Sequence, residues 1–190
     1  MHALEIGIGT GLATQPFLDT GCHVTAIELG KDLATYVRQK FSAYENLEVI
    51  NTDFADWPGT TAGFDLIYSA TAFHWIPAAV AYPKVRSLLR PGGTLALFWN
   101  HPMPSQPSTP LFQDIQKAYR EYRPSSQEPL PFLPSDCSRI LDQLWAFGFQ
   151  NCRAKLYYDT RQFHADSYIS LLRTYSDHRS MPDKSREGLE

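Results

Sequence analysis

The sequence is poor in cysteine, has no excess of basic charge and contains no long apolar run. Its three cysteines are far apart and odd in number, so they match neither a zinc site nor a disulfide framework and predict the reducing cytoplasm as compartment. A net charge of −3 argues against nucleic acid or an anionic membrane as partner. No apolar run approaches the ~20 residues of a membrane span. With 190 residues, 43% of them hydrophobic, the chain is expected to form one domain with a substantial core.

Glycine is concentrated near the start, where residues 4–11 spell LEIGIGTG. The stretch predicts a short buried strand that ends in a glycine-rich turn. The glycines stand at alternate positions, Gly7, Gly9 and Gly11. Without a Cβ, a glycine adopts positive φ and lets a ligand or another backbone come close. A helix is predicted over Leu12 to Thr20, and its N-terminal N–H groups suit a carboxylate or phosphate. With the acidic Glu5 before the first glycine, the pattern indicates a site for a nucleoside-type cofactor.

The spacing of these glycines departs from the two common nucleotide-binding fingerprints. In the dinucleotide fingerprint G-x-G-x-x-G/A, a start at Gly7 puts Leu12 in the last position and a start at Gly9 puts Thr14 there. Neither residue is small enough for the helix–strand contact made at that position. A P-loop is excluded because no G-x-x-x-x-G-K-[ST] follows. The pattern E-x-G-x-G-x-G instead resembles the first motif of the class I S-adenosylmethionine-dependent methyltransferases.

Acidic residues follow the next two predicted strands, His23–Ile27 and Leu47–Ile50. The resemblance implies that Glu28 binds the ribose hydroxyls of the cofactor and that Asp53 accepts a hydrogen bond from the adenine amino group. It also implies that Phe54 lies against the adenine ring. A solvated strand-end carboxylate at Glu28, and an Asx turn at Asp53 with Phe54 in the core, are the alternatives.

A fourth strand is predicted over Phe64–Tyr68, and its C-terminal end runs into SATAFHW. The A-x-x-x-H-W pattern there resembles the type 11 methyltransferases, the group that contains the trans-aconitate methyltransferases. The resemblance implies that the backbone carbonyls of Ser69 and Ala70 flank the sulfur of the cofactor. His74 would take a proton from the methyl acceptor or hydrogen-bond to it, and Trp75 would line the pocket. A packing or helix-start role for His74 is the alternative.

The segment LLRPGGTL before a fifth predicted strand, Thr94–Trp99, is also typical of this family. The resemblance therefore implies an α/β fold: a Rossmann-like, doubly wound and mostly parallel sheet, of seven strands in the family. The chain is expected to be a single methyltransferase domain, truncated at both ends. Its predicted parts are a cofactor-binding core (1–100), a proline-rich cap (101–135), a helix–strand–helix segment (136–175, with the strand over 153–163) and a polar tail (176–190).

The function implied by the resemblance is methyl transfer from S-adenosylmethionine to a small-molecule acceptor by direct in-line displacement. No metal-ligand cluster is visible in the sequence, and its pattern does not indicate an oligomeric state. A noncatalytic domain that binds the cofactor or a protein partner is the alternative, and binding without methyl transfer would indicate it. A nicotinamide-dependent oxidoreductase is disfavoured by Leu12 and by the absence of a catalytic tyrosine–lysine pair.

Overall fold

The structure, a computed structural model, describes residues 1–103, 109–124, 127 and 130–189. The chain divides into two compact units, one formed by residues 1–100 and 139–152 and the other by residues 101–138 and 153–190. The first unit therefore contains the whole stretch expected to form the cofactor-binding core.

A parallel five-stranded sheet forms the centre of the first unit, in the order β3-β2-β1-β4-β5. Its strands are β1 (His2–Ile6), β2 (His23–Glu28), β3 (Leu47–Asn51), β4 (Phe64–Ala70) and β5 (Leu89–Phe98). The helices between them are α1 (Gln15–Asp19), α2 (Lys31–Lys40) and α3 (Ala78–Leu88). The predicted Rossmann-like architecture is confirmed. In such a sheet the ends of β1, β2 and β4 lie at one edge, where ligands bind.

Both faces of the sheet are covered, so its inner strands carry consecutive apolar residues and do not alternate. Four residues in succession are buried in β1, Ala3 to Ile6. One cluster packs Leu4, Ile27 and Ile67 against α3, and the other packs Ala3, Val24 and Tyr68 against α2. Burial of β1 on both sides fixes the position at which the glycine turn leaves the sheet.

Helix α1 is shorter than expected. The prediction of a helix from Leu12 to Thr20 is wrong in extent, since the helix spans Gln15–Asp19 only. Thr14 precedes it, and its hydroxyl donates to the Glu5 carboxylate at 2.6 Å, so it does not cap the helix. Leu12 is 83% exposed. A helix of little more than one turn contributes little to anion binding, so that part of the sequence argument does not hold.

Helix α3 is one continuous helix with Pro83 inside it. A proline there predicts a kink or two short helices, and the division into two helices is not observed. Pro83 and Ala79 lie on the exposed side, where water can bond to the carbonyl that the missing N–H leaves without a partner. Strand β5 begins at Leu89, and its register with β4 is interrupted between Phe64 and Leu66.

The regular structure among the described residues of the second unit is helical. It contains α4 (Pro110–Tyr122), the first residues of α5 (Pro134–Ala146), α6 (Ala165–Leu172), α7 (Ser176–Arg179) and α8 (Asp183–Leu189). The strand expected over 153–163 is wrong, since that described segment has no regular structure. Its tyrosines, Tyr157 and Tyr158, are 79% and 82% exposed. An alternating pattern forms a stable strand only when a neighbouring strand satisfies its backbone.

Residues 176–189, most of the stretch expected as a polar tail, contain α7 and α8. His178 is 1% exposed, and the Tyr119 hydroxyl lies 2.7 Å from its Nε2. Arg123 forms an ion pair of 2.7 Å with Asp177. Burial raises the pKa of Tyr119 to about 12, so this hydroxyl stays protonated at neutral pH. These contacts join the tail to α4. No helix in the described ranges is long and apolar enough to cross a membrane.

The turn after β1 is held against the end of β4 at Gly7. Gly7 has φ +76°, and a Cβ at this position would lie 2.4 Å from the Cβ of Ala72. Gly21 has the same φ, but a Cβ there would meet no atom within 4 Å. A substitution at Gly21 therefore introduces backbone strain alone, whereas one at Gly7 introduces the same strain together with overpacking.

We expect Gly7→Ala to lower the free energy of unfolding by about 2–4 kcal/mol, from left-handed strain and overpacking together. Gly21→Ala, the matched control, carries the strain alone and should cost about 1–2 kcal/mol. In the double variant Gly7→Ala with Ala72→Gly the overlap of the two methyl groups is removed. Its loss of unfolding free energy should therefore fall to that of Gly21→Ala. Urea unfolding measures all of these variants. Equal losses in the Gly7 and Gly21 variants would contradict the packing of the turn against Ala72.

Candidate functional site

The side chain of Glu28 joins the glycine turn to the end of β2. Its Oε2 accepts a hydrogen bond from Gly9 N–H at 2.9 Å, and its Oε1 accepts one from Gly30 N–H at 2.8 Å. The residue is 7% exposed. A carboxylate has about four lone-pair directions, so two remain for hydroxyl groups of a ligand. Glu28 therefore points to the turn and does not extend into solvent as an isolated strand-end charge.

The three glycines of the turn differ in what surrounds them. A Cβ at Gly7 would overlap Ala72, and one at Gly11 would lie 2.2 Å from the Phe41 ring. Gly9 has φ +55°, and a Cβ there would meet nothing within 4 Å. Gly7 and Gly11 thus serve the packing of the protein itself. Gly9 alone faces open space, and that space adjoins the Glu28 carboxylate.

The turn after β3 is built on Asp53. Its Oδ1 accepts a hydrogen bond from Ala55 N–H at 2.7 Å, which is an Asx turn, and its side chain is exposed. Phe54 is only 3% exposed and packs in the core. The alternative interpretation of Phe54, as a core residue, is therefore the one observed. Binding of adenine by Asp53 stays a prediction.

Lys84 holds the same turn from α3, and the sequence argument did not include it. Its Nζ donates to the carbonyls of Phe54 and Ala55, at 2.5 and 2.8 Å, and lies 5.0 Å from the centre of the Phe54 ring. Desolvation lowers the pKa of Lys84, and the nearby carboxylates of Asp56 and Asp53 oppose that shift. A lysine 30 positions further along the chain gives no local signal of this contact.

Asn51 is a second residue that sequence reasoning missed. It pairs with Glu28 in the sheet, and its Nδ2 donates to the carbonyls of Glu28 and Leu29 at 2.8 and 3.0 Å. The side chain thereby fixes the backbone that carries Glu28. A polar residue at the C-terminal end of a buried parallel strand was the available signal.

The end of β4 lies beside the glycine turn, as the contact between Ala72 and Gly7 shows. Ser69 is 1% exposed, and its hydroxyl donates to the carbonyl of Ile6 at 2.7 Å. Its side chain therefore ties β4 to β1. Ala70 is half-buried and is the last residue of the strand. Whether the carbonyls of Ser69 and Ala70 flank a cofactor stays a prediction.

His74 and Trp75 lie in a one-turn 3₁₀ helix, Phe73–Trp75, just after β4. Trp75 is 74% exposed, and its ring centre lies 4.9 Å from that of His74. The Nδ1 of His74 accepts a hydrogen bond from the indole N–H of Trp99 at 3.3 Å. His74 is thus oriented by a neighbour that the sequence argument did not name.

Glu5 lies behind the turn and not in the open space at Gly9. It is 1% exposed, and its Oε2 accepts hydrogen bonds from Thr14 at 2.6 Å and from Tyr68 at 2.9 Å. Its Oε1 has no partner among the described residues. Desolvation raises the pKa of Glu5 to about 7, the repulsion of Glu28 adds to this, and the two hydrogen bonds oppose it. Glu5 holds β1, β4 and the start of α1 together; direct contact with a cofactor stays a prediction.

One depression in the described chain lies apart from this site. A depression of about 480 Å³ is lined by Pro83, Arg86, Ser87, Ala146 and Phe147, which include none of the predicted site residues. Within the described residues there is also no group of three or more side chains suited to hold a metal ion.

The comparisons with known proteins agree with this geometry. Residues 3–93 match the family model described as a methyltransferase domain. This part of the chain is thus similar to methyltransferase domains, as the resemblance of the glycine turn implies. The matched residues include the glycine turn, Glu28 and Asp53. The match favours the methyltransferase interpretation of the turn over the nicotinamide alternative.

Two similar proteins each match about half of this chain. An uncharacterised methyltransferase of Mycobacterium bovis is 31% identical over 99 residues, 52% of this chain and 40% of that protein. The malonyl-[acyl-carrier protein] O-methyltransferase of Enterobacter lignolyticus is 32% identical over 96 residues, 50% of this chain and 37% of that protein. The chain thus spans about two fifths of the length of these relatives.

A solved structure supports the fold of this chain. It is a complex between the Haloferax volcanii Trm112 methyltransferase activator and the putative methyltransferase, with 17% identity and a TM-score of 0.55. The match covers 77% of this chain and 60% of that one. At this identity the likeness concerns the fold alone.

The raised pKa of Glu5 makes the stability of the first unit depend on pH. The folded state keeps this proton up to about pH 7, whereas an unfolded glutamate loses it near 4.5. Unfolding therefore releases a proton between these values, and the free energy of unfolding falls as pH rises. The contribution of Glu5 to that fall is about 3 kcal/mol.

Relative to Glu5→Gln, we expect wild type to lose about 3 kcal/mol of unfolding free energy between pH 4 and pH 8. Glutamine does not titrate, and the other groups cancel in the difference. Glu48→Gln, at an exposed site on β3, is the control and should show no such change. Urea unfolding at several pH values measures it. If the unfolding free energies of wild type and Glu5→Gln change with pH in the same way, the pKa of Glu5 is not raised in the folded state.

Proposed function

We propose that the chain binds S-adenosylmethionine at the open space beside Gly9 and transfers its methyl group to a small-molecule acceptor. The observation that carries this proposal is the bond between Gly9 N–H and the Glu28 carboxylate. It brings a glycine without a packing partner and the acidic end of β2 to one place. The family match makes S-adenosylmethionine the cofactor to test there.

The fit of the cofactor rests on the space at Gly9. A Cβ at this position would enter space that no protein atom fills within 4 Å, which is what a backbone that contacts a ligand requires. The glycine turn would hold the methionyl part, and the two free lone-pair directions of Glu28 would accept the ribose hydroxyls. Asp53, exposed at the end of the next strand, would accept a hydrogen bond from the adenine amino group. Lys84 and Asn51 would position the backbone that carries these two carboxylates.

The acceptor would bind near the end of β4. Bound S-adenosylmethionine supplies a methyl group on a positively charged sulfur, so the chain itself has to orient the two reactants. Such alignment can contribute ~7–11 kcal/mol to lowering the barrier. Ser69 and Ala70 would border the reacting atoms with their backbone, and His74 and Trp75 would contact the acceptor. The free cysteines Cys22, Cys137 and Cys152 fit a reducing compartment such as the cytoplasm.

Gly9→Ala tests the cofactor site most sharply. We expect it to weaken the binding of S-adenosylhomocysteine at least tenfold, because its methyl group would occupy the space assigned to the ligand. Gly21→Ala is the matched control: its φ is also positive, +76° against +55° at Gly9, and a Cβ there would also meet nothing within 4 Å. Gly21 precedes β2, whereas Glu28 ends it. The affinity of this control variant should stay within twofold of wild type. Isothermal titration calorimetry measures both.

Equal affinities in wild type and Gly9→Ala would overturn the site. Transfer is then measured with S-adenosylmethionine carrying a labelled methyl group, against panels of small acids, phenols and amines, with Gly9→Ala as the inactive control. Label incorporated equally by both chains would contradict the proposed function.

A further inference from the structure

The histidine at the end of β4 has a fixed neighbour at the end of β5. The indole Nε1 of Trp99 lies 3.3 Å from the Nδ1 of His74. The two chain segments are held in register below this contact, because Ala70 pairs with Phe98 and Thr71 N–H donates to the carbonyl of Phe98 at 2.9 Å. The relation between the two rings is therefore set by the sheet, and not by two side chains that happen to meet at the surface.

This contact decides which nitrogen of His74 carries the proton. An indole N–H can only donate a hydrogen bond. The Nδ1 that faces it must therefore present its lone pair. In a neutral imidazole one nitrogen is an acceptor and the other carries hydrogen, so the hydrogen of neutral His74 is on Nε2.

We propose that Trp99 is a positioning residue that fixes His74 as a hydrogen-bond donor through Nε2–H. His74 then donates to an oxygen of the methyl acceptor, and does not remove a proton from it, because its one lone pair is already bonded to Trp99. The acceptor class that fits this donor carries a carboxylate or carbonyl oxygen beside the atom that is methylated. The inference rests on the proposed function, since it concerns the acceptor side of that site.

The surroundings of His74 agree with a ligand that has both an oxygen and an apolar part. Trp75 is 74% exposed and lies against the His74 ring, so it offers an apolar surface next to the Nε2–H donor. A large exposed aromatic side chain beside an oriented polar group is a typical arrangement for ligand contact.

The tautomer of His74 can be measured in the full chain without any acceptor. Nitrogen-15-labelled histidine, observed by two-bond proton–nitrogen correlation at a pH where histidine is neutral, distinguishes the two tautomers. The chain has six histidines, and His74→Gln assigns the signal. We expect the Nε2–H form in wild type. In Trp99→Phe the ratio of the two forms should move toward Nδ1–H by about fivefold, which corresponds to the loss of a hydrogen bond of about 1 kcal/mol.

Trp145→Phe is the control, since Trp145 is half-exposed in the same unit and its variant should leave the His74 signal unchanged. An Nδ1–H form in wild type, or the same ratio in wild type and Trp99→Phe, would overturn the proposal. Calorimetry with S-adenosylhomocysteine on the same samples separates this result from the proposed function. We expect unchanged affinity in Trp99→Phe, whereas a wild-type chain that binds none would contradict the cofactor site and leave the tautomer result standing.

Discussion

The carboxylate of Glu28 is the constraint on which the rest of the site depends. One of its oxygens bonds to the amide of Gly9 and the other to that of Gly30, so the turn after β1 and the turn after β2 share one acidic group. Asn51 fixes the backbone of that group from β3. Removal of the Glu28 side chain would leave the amides of Gly9 and Gly30 without this hydrogen-bond acceptor. The same carboxylate has lone pairs left for a ligand. Glu28 therefore both holds the two turns together and can bind hydroxyl groups of a ligand.

The glycine turn shows how identical residues serve different purposes within five positions. Ala72 lies against Gly7 and the Phe41 ring lies against Gly11, while the surroundings of Gly9 are open. Glu5 completes this arrangement from behind, where it holds Thr14 and Tyr68. Packing of the outer glycines against the protein keeps the middle one in place. A turn fixed in this way can receive a ligand without first having to become ordered.

Most strands of the sheet could be predicted from the sequence, because buried parallel strands form apolar runs. The Rossmann-like architecture was implied by the family resemblance, and the strand order comes from the structure. Glu28 could be placed as well, since a strand end is a local feature. The lysine at position 84 and the indole at 99 could not, because their contacts join residues far apart in the chain. The strand predicted over 153–163 was wrong because its alternating pattern is a local feature, whereas a strand also needs a neighbouring strand, which the local pattern does not reveal. The bond of Thr14, just before α1, to the buried Glu5 carboxylate is likewise a contact that the local pattern does not show.

The most direct test of the central claim is the response of the glycine amides to the ligand. The chain has 11 glycines, and nitrogen-15-glycine labelling resolves them in a single correlation spectrum. When S-adenosylhomocysteine is added, the amide signals of Gly9 and Gly30 should shift, while those of Gly21 and Gly92 should stay in place. Saturable binding that leaves the Gly9 and Gly30 signals unmoved would contradict the account.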